Sequence, residues 1–221
     1  LSPVWDTAMV AAALERSDME PDHPVLQKST EWLVNQEIQF KGDWQIKNPY
    51  GPTSGWAFEY SNDFYPDTDD TAMVLMALHG AAIPDDKRRQ ASLKRGLEWL
   101  LSMQCSDGGW GAFDVDNNKE LFNLIPFADH NALLDPSTAD LTGRILECLA
   151  QLGYDKSFSP ASRAIKFLLS QQEPDGTWYG RWGVNYIYGT SQVVTGLTAI
   201  GVSPSDPAIQ RAVDWFLHHQ L

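Results

Sequence analysis

Eight stretches of the chain carry apolar residues three and four positions apart: 4–16, 23–37, 69–81, 87–104, 138–152, 159–172, 190–200 and 206–219. That spacing gathers apolar side chains on one face of an α-helix, so each stretch predicts a helix. Candidate N-caps precede several of them: Ser2, Asp22, Thr68, Ser159 and Ser205. Pro3 and Pro160 then fall at the first helical position, where a missing N–H is harmless. No stretch alternates as a strand would. Residues 7–14 are apolar, but no run approaches the roughly 18 to 20 residues of a membrane span. The predicted fold class is all-α.

The helices come in pairs, and the pairs repeat. Arg95-Gly96-x-x-Trp99-Leu100-x-x-x-Gln104-x-x-x-Gly108-x-Trp110 matches Arg163-Ala164-x-x-Phe167-Leu168-x-x-x-Gln172-x-x-x-Gly176-x-Trp178. A looser copy runs Lys28, Trp32-Leu33, Gln36 and Gly42-Asp43-Trp44. A fourth begins at Arg211-Ala212-x-x-Trp215-Phe216 and reaches Gln220. Each copy predicts a helix that ends near Gln, a turn on Gly, and a Trp that packs on a neighbour. This is structural glue, and it predicts stacked αα-hairpins that bury their faces only against one another. The fourth copy breaks off before its Gly-x-Trp, and Leu1 is not an initiator Met. The expectation is a piece of a longer protein.

Composition narrows the function. Sixteen basic residues stand against 29 acidic ones, a formal net charge of −13, which argues against a nucleic-acid partner. Two cysteines, Cys105 and Cys148, cannot build a disulfide scaffold or a four-thiolate zinc site. The chain has nine Trp, nine Phe and seven Tyr, an unusual aromatic content. No phosphate-cradling Gly-rich loop and no G-x-S-x-G elbow occur.

The candidate chemistry lies in Asp67-Thr68-Asp69-Asp70. Acidic residues suit the first turn of a helix, where they meet the positive end of its dipole. Three carboxyls in four residues also cannot all ionise cheaply, so one of them keeps its proton. Asp114-Val115-Asp116-Asn117-Asn118 starts like a calcium loop, but lacks the Gly at its sixth position and the Glu at its twelfth, so no metal is predicted there. His130 beside Asp129 reads as a surface pair, and His218-His219 as solvent-facing.

These residues together resemble the triterpene cyclases. The repeat looks like their QW motif. Tyr65-Pro66-Asp67-Thr68-Asp69-Asp70-Thr71-Ala72 looks like the DXDD acid motif of the squalene–hopene cyclase branch. Further matches are SPVWDTA at 2–8, GGWGAFDVDN at 108–117, IPFADH at 125–130 and GRWGVNYIYGT at 180–190. The resemblance implies that residues 1–221 are part of a DXDD-bearing (α/α)6 barrel, with a second barrel domain outside this chain. It implies acid-initiated cyclisation of squalene to hopene and hopanol, in hopanoid biosynthesis.

By the same resemblance Asp69 is the proton donor, and Asp67 and Asp70 are supporting carboxylates. Arg144, in Asp140-Leu141-Thr142-Gly143-Arg144, stands where the family often has His. It supplies a fixed cation, or a structural bridge to Asp140. Trp5, Phe58, Phe113, Phe127, Trp182 and Tyr188 are implied to line a cavity, with Phe113 where a Tyr is common. Ring faces stabilise a carbocation without trapping it, and they exclude water. No cofactor is implied. The family sits on one face of a membrane, which implies a monotopic protein on the cytoplasmic side in a bacterium, with a homodimer left open. Two rivals remain: a class II diterpene cyclase acting on a prenyl diphosphate, and a non-catalytic αα-toroid binding domain.

Overall fold

The structure, a computed structural model, describes residues 2–84, 86–118 and 133–220. These form two compact units, divided between Met103 and Gln104. The first holds α1 (Pro3–Arg16), α2 (Pro24–Asn35), a short 3-10 turn (Asp43–Ile46), α3 (Thr68–Gly80) and α4 (Asp86–Ser102). The second holds α5 (Ala139–Gln151), α6 (Ser159–Ser170), α7 (Tyr186–Ala199) and α8 (Pro207–His218). The fold is all-helical, with only isolated bridges between extended residues among those described.

In each unit the odd-numbered helices pack side by side, α1 on α3 and α5 on α7, and each pairs with the helix that follows it. Burial explains the two layers. Ten of the thirteen residues are buried in α3, and ten of thirteen in α5, so these helices are enclosed on nearly every side. The even-numbered helices bury a single stripe. In α2 it is Leu26, Thr30, Leu33 and Val34, and in α6 it is Ala161, Ala164, Phe167 and Leu168. Ala161 and Ala164 in the α6 stripe are small and let α6 approach α5. Trp56, Trp99, Trp110 and Trp178 are fully buried, each stabilising the fold by about 1.5–3 kcal/mol or more by leaving water.

All eight predicted helices are present, with boundary shifts of a few residues. The largest is α7, which starts at Tyr186 rather than at 190. Its first turn points apolar side chains outward, with Ile187 67% exposed, so the apolar spacing begins only with Thr190 and Val193. Four of the five caps also move by one residue. Asp67 rather than Thr68 caps α3, accepting from Asp70 N at 2.7 Å. His23 Nδ1 caps α2, Asp206 caps α8, and Phe158 precedes α6, which leaves Pro160 second in that helix. Ser2 does sit at the N-cap of α1, yet its hydroxyl donates to Phe58 O instead. Where adjacent residues can both cap, only the path of the backbone selects one.

The repeat takes physical form as a three-part staple. The loop after α4 pairs Cys105 N with Gly109 O, and the loop after α6 pairs Glu173 N with Thr177 O. The next residue, Trp110 or Trp178, donates its backbone N–H to the hydroxyl of Thr142 or Thr190 in the following helix. Gln104 donates to Gly108 O and Pro160 O, and Gln172 to Gly176 O and Ala208 O. Arg163 and Arg211 donate back to the Gln oxygens. Gly108 (φ 96°) and Gly176 (φ 94°) make the turn in a backbone region that side chains avoid.

The first copy corrects the expected alignment. Ile38 N pairs with Gly55 O, and Trp56, not Trp44, donates its N–H to Thr71 Oγ1. Its indole also donates to Leu33 O, as that of Trp178 does to Leu168 O. A longer loop separates the two halves of this copy and hides the match. Trp44, in the 3-10 turn, instead packs edge-on against Trp99. The amide position is Glu37 rather than Gln36, and its buried carboxylate receives both Nε and Nη2 of Arg95 at 2.9 and 2.6 Å.

Candidate active site

The acid motif sits at the start of α3. The backbone of Asp67 is tied to Trp56 O, and its carboxylate closes the first turn on Asp70 N. Asp67 and Asp70 are buried, 5% and 2% exposed, while Asp69 between them is half-buried. Burial pushes the Asp67 carboxyl well above the ordinary carboxylate range. The neighbouring charge of Asp70, a side-chain hydrogen bond with Asp70, and the charge of Asp69 push the same way. Burial and these neighbours together favour the protonated form of the Asp67 carboxyl.

Two of the expected aromatics share this unit. Trp5 lies half-buried in the first turns of α1, and Phe58 is 44% exposed in the loop before α3. The Ser2 hydroxyl donates to Phe58 O at 3.1 Å, which ties the start of α1 to that loop.

The second unit carries the remaining candidates. Asp140, in the first turn of α5, is 1% exposed, and its Oδ2 accepts the backbone N–H of Trp182 at 2.8 Å. Arg144, one turn later and also buried, donates from Nη2 to the Tyr188 hydroxyl at 2.8 Å. Phe113 meets Trp182 edge-to-face at 6.0 Å, and the Arg181 guanidinium lies 5.9 Å from the centre of the Trp182 ring system. Trp182 remains 49% exposed, which leaves much of its indole open to a ligand. Phe127, with Asp129 and His130, lies outside the described residues.

The staple threonines reveal a further regularity. Thr71, Thr142 and Thr190 hold equivalent places in α3, α5 and α7, each accepting a Trp N–H. Two residues before each stand Asp69, Asp140 and Tyr188. Three of the expected site residues thus occupy one repeated position, in the first turn of successive odd-numbered helices.

Sequence reasoning missed Asp135. Its buried carboxylate accepts three consecutive backbone N–H groups, from Ala112 at 2.9 Å, Phe113 at 2.5 Å and Asp114 at 2.7 Å. Burial pushes its carboxyl above the usual range, against the pull of these donors. The signal available in the sequence was weak: an acidic residue ahead of a helix, far along the chain from the loop it holds. Among the described residues no three His, Cys, Asp or Glu side chains form a metal-holding group.

Comparisons agree with this architecture. A type II terpene cyclase from Scytonema, MstE, superposes with a TM-score of 0.63 at 19% identity, covering 99% of this chain and 55% of that one. The fold is therefore that of the αα-toroid terpene cyclases. A family model, the squalene-hopene cyclase C-terminal domain, matches residues 1–221, and the chain belongs to that family. The squalene–hopene cyclase of Alicyclobacillus acidocaldarius is 46% identical over 201 residues, covering 91% of this chain and 32% of the relative. Dammaradiene synthase of Dryopteris crassirhizoma is 42% identical over 229 residues, covering all of this chain and 33% of the relative. The chain thus spans about a third of the length of these curated relatives.

Proposed function

We propose that the protein containing this chain cyclises squalene, with Asp69 as the acid that starts the reaction. A proton passes from the Asp69 carboxyl to a terminal alkene carbon. The π pair forms the new C–H bond, leaving a tertiary cation that successive double bonds attack. Loss of a proton at the end gives hopene, and capture of water gives hopanol. The observation that carries this reading is the acid cluster itself. Two buried carboxyls linked by a hydrogen bond lie beside a third, Asp69, that keeps surface for a substrate. Asp67 and Asp70 sustain its acidity, and Arg144, permanently charged and bonded to Tyr188, supplies a fixed cation. Asp140 supports that group.

In this reading Trp5, Phe58, Phe113, Phe127, Trp182 and Tyr188 face the travelling cation, which ring quadrupoles stabilise and carboxylates or water would quench. The rest of the barrel and a second barrel domain belong to the parent protein. Squalene dissolves in bilayers, so the reading includes peripheral docking on the cytoplasmic face of a bacterial membrane. A homodimer is compatible with it. No helix among the described residues is long and apolar enough to cross a membrane.

Replacing Asp69 by Asn in the parent should lower product formation at least about 100-fold, the low end for losing a general acid. Near-normal hopene from that variant would overturn the assignment. Offering squalene beside geranylgeranyl diphosphate separates this reading from a diterpene cyclase. Analysis of the products shows whether they are hopene-type or, as the fern relative's name indicates for that protein, dammaradiene-type.

A further inference from the structure

We infer that Asp135 is a positioning residue that fixes the ring of Phe113 in place to face the substrate cation. This rests on the cyclase reading above.

The geometry points to it from several sides. Asp135 Oδ1 accepts from Ala112 N, and Oδ2 accepts from both Phe113 N and Asp114 N. Three successive N–H groups wrapped around one carboxylate fix the backbone of residues 112–114, and with it the Cα–Cβ direction of Phe113. Asp135 is itself held, since its N–H donates to Asn117 O at 3.0 Å. Asn117 in turn donates to the Asp114 carboxylate at 2.9 Å and to Leu133 O at 3.4 Å. Gly111 makes room for this arrangement: a Cβ there would lie 2.6 Å from Asp135 O and 2.8 Å from its Oδ2.

Trp182, the partner of Phe113, hangs from a second buried carboxylate, that of Asp140, through its own N–H. Both rings of the pair are therefore held from behind by buried acids. Both oxygens of Asp135 are engaged by N–H donors, so it holds the ring while turned away from a base's role towards a cation. A neutral side chain of similar size offers a single carbonyl oxygen and brings an N–H₂ group against the same donors. The loop would then lose its register.

The test uses the full parent protein with Asp135→Asn and Gly111→Ala, and with Phe113→Leu as a benchmark. Gly111→Ala crowds the carboxylate and keeps its charge. Two readouts are needed. With squalene, Asp135→Asn should lower kcat about 10- to 100-fold, with KM within about threefold, and should release incompletely cyclised products like those of Phe113→Leu. The affinity for dodecyldimethylammonium, a stable apolar cation, should fall about 5- to 30-fold in both Asp135→Asn and Phe113→Leu.

A structural role alone would lower the melting temperature and scale activity with the folded fraction, leaving product pattern and probe affinity of the folded protein unchanged. That result would overturn the inference, as would failure of both Asp135→Asn and Gly111→Ala to fold. If wild-type parent binds the probe but leaves squalene unreacted, the reaction assignment fails while the positioning role is still tested by the probe. If wild-type parent does not bind the probe, the cation-facing role of Phe113 falls, and the inference with it.

Discussion

Single buried carboxyls set much of the behaviour of this chain. Glu15, near the end of α1, is half-buried, and one of its oxygens has no hydrogen-bond partner. Burial pushes its carboxyl up to about 7, against the opposing charges of Arg16 and Arg89. The folded state thus holds this proton more tightly than the unfolded chain, whose Glu titrates near its ordinary value of 4.5. Stability from this group is full below that value, falls as pH rises through the interval, and is lost above about 7. The melting temperature should therefore drop from pH 5 to pH 8, and Glu15→Gln should show a smaller drop. An identical pH dependence in the two proteins would refute this. Asp67 and Asp135, also raised by burial, contribute with the same sign in both proteins. At this scale the sequence disclosed the acid run but not its environment. Nothing local marks Asp135 or Glu15 as different from the acids at the surface.

At the scale of the element, the staple shows how one position changes residue type while keeping its task. Gln104 and Gln172 both donate to and accept from their neighbours. Glu37 can only accept, and its surroundings have changed to match. Ser92 occupies the place that Pro160 holds in the next copy, three residues before the motif Arg. A hydroxyl donor there meets Glu37 where a carbonyl acceptor meets Gln104. Ser54 adds another donor at 2.7 Å. Glu37→Gln should destabilise the protein by about 2 kcal/mol, as for the loss of hydrogen bonds to a charged group. Gln104→Glu should cost at least about 2 kcal/mol, because it points a carboxylate at Gly108 O and Pro160 O. Urea denaturation of both variants checks this, and a neutral Gln104→Glu would contradict the argument. The helices themselves were legible because burial on one stripe imposes a period on the chain. The first staple does not align along the sequence because its long loop and its Glu in place of Gln both erase local similarity.

At the scale of the whole molecule, this chain spans about a third of the length of its curated relatives. It carries the acid motif and several aromatics, while a cation must be shielded on all sides until the last ring closes. On the proposed reaction, the 221 residues alone should therefore give no detectable hopene from squalene under conditions where the parent forms it. Gas chromatography of extracts decides this, and product from the isolated chain would show that the enclosing parts are dispensable. The net charge of −13 is mostly solvated surface and does not shape the fold.

Helix type, helix pairing, the two clear copies of the staple and family membership follow from the order of residues, because each rests on spacing within a few turns of chain. The choice of Asp67 as cap and the upward push on its carboxyl depend on how completely α3 is enclosed. The bond from Arg144 to Tyr188, 44 residues away, exists only because α5 and α7 lie side by side. The grip of Asp135 on residues 112–114 depends likewise on two distant segments meeting. Periodicity is a local property and can be read along the chain. Desolvation and contact between remote segments are properties of the packed molecule, so only the tertiary structure decides which acids are buried and which rings they hold.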